Sequence, residues 1–338
     1  MTESPHGLPY QGSGPYCYAN SLAMMMGADA PPAAVIETAT GSAFGMQLVG
    51  GTLPFFDAFG WTPEAGVETA LAGLGWAADT CSGGDAGTAL DRLADRLQRG
   101  PVMVGPVEMG YFSHQPGMAG PIGADHYAVV VEMDDTHVTL HDPQGYPYAR
   151  LPVDDFTKAW RADTVAYGAP FTMRSGFRRV AHVSAEEAVA AAIPRAIERL
   201  RAATAPAPDA APDRDRRPAS PAASAGAALA GGPVPPGTLG NGAAALALAD
   251  LLEAGGDDGL RDHLVHFAVR VGARRLADAS ACLHGIGRAA AAAVTAHQAR
   301  LVGALQHPLA TGDTRAAATA LRALAPTYDC LRAALESP

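Results

Sequence analysis

The chain has 338 residues, 48% hydrophobic and 17% charged, so most of it can bury a core and global disorder is excluded. The length suggests two domains. A net charge of −10 lacks the basic footprint of broad nucleic-acid binding. No apolar run approaches the ~20 residues of a membrane span, and the N-terminus, MTESPHGLPYQGSGPY, has no basic stretch followed by an apolar one. A cytoplasmic protein is expected, with no nucleic-acid partner and no membrane partner. Cys17, Cys81, Cys282 and Cys330 are far apart, which argues against a disulfide framework and against a Cys-rich zinc site.

In chain order, a polar, Gly-rich loop runs to Tyr16 and a short helix follows from Tyr18 to about Met26. Helical spacing recurs over Pro32–Ala39, Pro63–Leu74 and Thr88–Arg99. The pattern then changes to strands at Val102–Val107, His126–Glu132, His137–His141 and Phe171–Val180. Helices followed by an antiparallel sheet make an α+β domain, residues 1–182. A connecting helix occupies 183–204, with Ser184 and Glu187 spaced for a capping box and Pro194 placed to kink or split it. Residues 205–241 are rich in Ala, Pro, Gly and Asp up to position 237 and read as a linker. Residues 242–338 are Ala- and Leu-rich with helical spacing over Ala243–Leu252, Leu260–Val271, Arg274–Leu305 and Arg315–Leu335, a bundle of about four helices and thus an all-α C-terminal domain.

Two segments carry chemistry. In Gln11-Gly12-Ser13-Gly14-Pro15-Tyr16-Cys17 a cysteine stands where a Gly-rich loop turns into a helix. The positive end of the helix dipole stabilises a thiolate there, and the Cys17 N–H can donate to an oxyanion. Gln11 can fold back as a second donor. In Gly123–Pro143 two β-rich runs flank a polar turn centred on Asp134. A simple ladder about that centre sets His126 directly opposite Asp142, the carboxylate fixing the tautomer of the imidazole. A one-residue slip would place Asp142 on the wrong face and bring in His141. Cys, His and Asp with an upstream Gln form a set for covalent acyl chemistry. In this reading an Asn at 142 would still orient the ring.

Other residues are weighed more lightly. His114, in a loop before His126, could line an acceptor pocket. Arg174, Arg178 and Arg179 form a basic cluster that could dock an acidic carrier domain, although a solvated face is the commoner role. Met24, Met25 and Met26 read as core, and His263 and His266 lack a third ligand nearby.

A Gln-x5-Cys opening a helix, then His on one strand and Asp on the next, resembles the papain-like cysteine peptidase fold, and HYAVVVEMDDTHVTLHDPQG is similar to the subset containing the bacterial double-glycine leader peptidases. Cys17 with its helix, FGMQLVG, GVETALAGLGW, GPVMVGPVEM, the HYAVVV hairpin and VDDFTKAW together resemble the butirosin-biosynthesis H protein family. GTLGNGAAALALADLL resembles the helical domain that follows in that family. The resemblance covers most of the chain except the linker and is diffuse outside the triad. It implies acyl transfer from the phosphopantetheine thioester of an acyl or peptidyl carrier protein to the amine of an amino sugar, in antibiotic biosynthesis, with no cofactor or metal bound by the enzyme itself. The condensing enzyme of lincosamide assembly is similar in logic. By resemblance Cys17 is the nucleophile, His126 the base, Asp142 the orienter and Gln11 the oxyanion donor, with Tyr18 and His114 beside the substrate. Tyr18 stands where the peptidases commonly carry Gly, which leaves less room beside the nucleophile. Two other readings use the same scaffold: a hydrolase, whether peptidase or thioesterase, and a non-catalytic binding module.

Overall fold

The computed structural model describes residues 16–165, 167–202 and 234–337. Gln11 and most of the expected linker, up to position 233, lie outside the described residues. The chain is mixed α and β, with antiparallel sheets and a C-terminal helical region. The described residues divide into two compact units: those of 16–36 together with 74–182, and those of 37–73 together with 183–202 and 234–337.

The first unit contains a six-stranded sheet. Its strands are β3 (Trp76–Cys81), β4 (Val102–Glu108), β5 (Asp125–Met133), β6 (His137–Asp142), β7 (Tyr146–Pro152) and β8 (Met173–Arg179), in spatial order β3-β8-β4-β5-β6-β7, every pair antiparallel. Alternation along the central strands sorts their faces. Ala128 and Val130 join Val102, Val104, Leu140, Phe156 and Trp160 in a core closed by α4 (Ala86–Leu97) and α5 (Val153–Arg161). Val129 and Val131 pack instead on Met24 of α1 (Cys17–Met26), so the methionines are core. Glu108 ends β4 and shapes the loop that follows. Its Oε1 accepts from the Gly110 and Ile122 N–H groups at 2.9 and 3.1 Å, and its Oε2 from the Gly123 N–H at 2.9 Å and from the Thr164 hydroxyl. Gly110 is required there: a Cβ would lie 2.0 Å from the Gly120 carbonyl oxygen.

The second unit corrects the expected boundaries. Residues 37–73, read as part of a continuous 1–182 domain, are built into the helical unit. Phe44, Met46, Leu48 and Phe56 are buried in one cluster with Ala192, Leu248, Leu276, Leu321 and Leu331. Strand β1 (Gln47–Val49) pairs on one side with β2 (Leu53–Phe55) and on the other with β9 (Leu239–Gly240), so the linker ends before position 239. Charge locks the same segment in place. Arg275 donates from Nε to Glu37 Oε1 at 2.6 Å, lies 3.5 Å from Asp57 Oδ2 through Nη1, and sits 5.1 Å over the Trp61 ring. Gln47 Nε2 donates to Asp57 Oδ1 at 2.6 Å. Burial pushes the Asp57 carboxyl up to about 6, against the lowering pull of Arg275 and Gln47.

Helices α2 (Ala33–Ala39) and α3 (Pro63–Gly73) match their expected spans. Helix α6 (Ala185–Arg201) has the predicted capping box: Ser184 Oγ accepts from the Glu187 N–H at 3.1 Å, and Glu187 Oε2 from the Ser184 N–H at 2.8 Å. Pro194 does not split it. A proline inside a helix costs ~3 kcal/mol, and the buried face of Val189, Ala192, Ile193, Ala196 and Leu200 offsets that. Beyond it the described residues hold more helices than the four expected: α7 (Asn241–Glu253), α8 (Asp258–His263), α9 (Val269–Gly285), α10 (Ala289–Ala304), α11 (Gln306–Thr311), α12 (Thr314–Leu324) and α13 (Thr327–Glu336). A π-helical turn, Leu264–Ala268, joins α8 to α9. Gly287, at φ 78°, breaks the run expected over Arg274–Leu305, and Pro326 precedes α13. Among the described residues no helix is long and apolar enough to cross a membrane.

Candidate active site

Cys17 is the first residue of α1, where N–H groups without intrahelical partners concentrate positive charge. Tyr16 just before it is buried at φ 129° and ψ 42°, a conformation a non-glycine residue adopts only under restraint. Its carbonyl accepts the first helical bond, from the Asn20 N–H at 2.9 Å. The thiol is half-buried.

The hairpin brings His126 and Asp142 together by a different register from the simple one. The turn is centred between Asp135 and Thr136, because Asp134 Oδ1 accepts from the Thr136 and His137 N–H groups, both at 2.8 Å. The ladder leaves it as Met133↔Val138 and Glu132↔Thr139. Continued unbroken, it would set Asp142 opposite Val129, on the face away from His126. A bulge at Val131 shifts the pairing to Val130↔Leu140 and Val129↔His141. Asp142 then falls on the same face as His126, diagonal to it instead of opposite. His126 Nε2 lies 2.7 Å from Asp142 Oδ1.

Cys17, at the start of α1, is the other titratable group that acts on the His126 imidazole. Burial lowers the proton affinity of His126, but the Asp142 carboxylate outweighs it and Cys17 adds to it, so the ring is pushed up to about 10. Asp142 is wholly buried, which opposes ionisation, yet His126, His114 and the Gln144 N–H hold its carboxyl far below the usual range. A thiol at a helix start, an imidazole with high proton affinity and a fixed carboxylate are the residue types that covalent acyl chemistry draws on.

The other expected site residues divide. Tyr18, expected beside the substrate, lies inside the protein. It is 3% exposed and packs edge-on against Tyr127 at 6.1 Å, because the position after Cys17 turns into the protein. His114, expected in an acceptor pocket, has its imidazole on Asp142, with Nε2 2.8 Å from Oδ2. Gln115, which the sequence reading passed over, donates to the same oxygen at 2.6 Å. The arginine cluster is not a free basic surface. Arg174 is 1% exposed, Arg178 pairs with Asp79 at 3.0 Å, and Arg179 lies over Trp76 and donates to the Asp29 carbonyl. His263 Nε2 donates to the Pro54 carbonyl at 2.8 Å. Among the described residues no group of three or more His, Cys, Asp or Glu is placed to hold a metal ion.

Two comparisons bear on the chain. Residues 235–336 match the family described as YobF C-terminal domain. Over 164 residues the chain is 32% identical to the uncharacterized protein YobF of Bacillus subtilis (strain 168), a match covering 47% of this chain and 52% of that protein. The chain thus spans about half the length of this curated relative.

Proposed function

We propose that this protein is a cysteine acyltransferase with a papain-like catalytic arrangement, taking an acyl or aminoacyl group from a carrier-protein phosphopantetheine thioester and delivering it to the amine of an amino sugar. The observation that carries the reading is the meeting of Cys17, His126 and Asp142, drawn from a helix start and two strands that a bulge brings into phase. The choice of carrier thioester and amino sugar rests on the resemblance described above.

In this mechanism the Cys17 thiolate attacks the thioester carbonyl. The Cys17 N–H and the Gln11 side chain donate to the oxyanion. The carrier thiol leaves with the proton from His126, and an acyl-enzyme remains. Neutral His126 then accepts a proton as the amine attacks. Collapse expels the Cys17 thiolate and forms the amide, while Asp142 stays ionised throughout. A thioester is a strong enough donor for amide formation.

Water competes with the amine at the acyl-enzyme, so transfer requires a bound and oriented acceptor. Positioning supplies effective molarities of ~10⁵ M or more. The test loads an acyl group on a carrier protein and measures amide against free acid, with and without an amino-sugar panel. Slow release of acid alone and fast amide formation with a cognate amine are expected. Free acid predominating across the panel, with peptides cleaved at a comparable rate, would show a hydrolase.

A further inference from the structure

Asp142 serves two imidazoles. Its Oδ1 accepts from His126 Nε2 at 2.7 Å and from the Gln144 N–H at 2.8 Å. Its Oδ2 accepts from His114 Nε2 at 2.8 Å and from Gln115 Nε2 at 2.6 Å. Two neighbouring residues of one loop thus converge on a single oxygen. The loop is shaped for this by the Glu108 cap and by the close approach of Gly110 to Gly120. The His114 ring is held between Phe112, at 5.2 Å, and Tyr146, at 5.4 Å. Its side chain is 9% exposed, and its Nδ1 is buried with no hydrogen-bond partner among the described residues. Asp142 is therefore the polar group against which this ring is built.

We propose that His114, together with Gln115, is a positioning residue that holds the Asp142 carboxylate and shares its negative charge with His126, limiting how tightly Asp142 holds the His126 imidazolium. The consequence for catalysis rests on the acyltransferase reading above. The sharing itself does not. A carboxylate that gives part of its charge to donors on Oδ2 is a weaker partner on Oδ1. The base must release its proton to the leaving thiol and regain one from the amine, and an imidazolium held too firmly does the first poorly. Among the described residues the titratable groups facing His126 are Cys17 from α1 and Asp142 from β6, with His114 reached through Asp142. Asp125, next to it on β5, is engaged by the Tyr167 hydroxyl at 2.6 Å.

The test follows ring-nitrogen resonances of ¹⁵N-histidine-labelled full-length protein against pH and needs no substrate. His114→Phe keeps an aromatic ring but removes the donor. His114→Gln restores an amide N–H at a similar reach. The His126 midpoint is expected to rise by half a pH unit or more in His114→Phe and to return toward wild type in His114→Gln. A role in packing alone would lower thermal stability in both and leave the midpoint in place. An unmoved midpoint in folded His114→Phe overturns the proposal. Should that variant not fold, the wild-type spectrum decides: His114 must carry its hydrogen on Nε2, and a hydrogen on Nδ1 alone overturns the proposal equally. Failure here leaves Cys17 acylation untouched, so the two readings fall separately.

Discussion

His126→Ala should lower amide formation by ~10³-fold or more, because the thiol loses its proton acceptor and the leaving group its donor. Asp142→Asn should cost nearly as much, ~10²- to 10⁴-fold. From the sequence an amide at 142 is a mild change, since it can still orient a ring. The structure alters that expectation. Oδ1 faces two donors and Oδ2 faces two more. An Asn side chain has one oxygen, so its NH₂ must point at donors whichever way it turns. Steady-state rates with a carrier-bound thioester check both values. Wild-type rates in His126→Ala with an inactive His114→Ala would assign the base to the other imidazole.

Arg275→Met should destabilise the second unit by ~3–5 kcal/mol near pH 8, the cost of leaving buried carboxylates without their counter-charge. Arg275 is the cation between Glu37 and Asp57, all three side chains being 7% exposed or less. The loss should shrink toward pH 5. Without the guanidinium, burial drives the Asp57 carboxyl further above its position of about 6, so the native state takes up a proton that the unfolded chain, with an ordinary carboxyl, does not. Stability of the variant therefore falls as pH rises through that interval. Urea unfolding at the two pH values reads the difference. An equal cost at both would mean that the methionine disturbs packing and that charge is secondary.

The parts of the site set by local rules were legible in the sequence. Cys17 at a loop–helix junction, the Ser184–Glu187 box and the strands of the 125–142 hairpin each follow from a few neighbouring residues. The register was not. The bulge at Val131 leaves no mark in a run of valines, and only the two-stranded ladder shows that it brings Asp142 into phase with His126. Glu108 and Gln115 were equally silent, because one acts by capping a loop from which the other reaches a carboxylate 27 residues away. The assignment of residues 37–73 failed for a related reason. Their apolar spacing fits either unit, and their partners, Leu239 across a ladder and Arg275 through an ion pair, lie nearly 200 residues or more along the chain. Gly287 and Pro326, by contrast, are helix breakers that the sequence itself displays.

The most direct test of the central claim is the intact mass of the protein after exposure to a carrier-bound thioester with the amine withheld. The account predicts a mass gain equal to one acyl group, mapped to Cys17, absent in Cys17→Ala, and discharged when a cognate amine is added. An acyl group found on Cys81, Cys282 or Cys330 instead, or turnover persisting in Cys17→Ala, would contradict it.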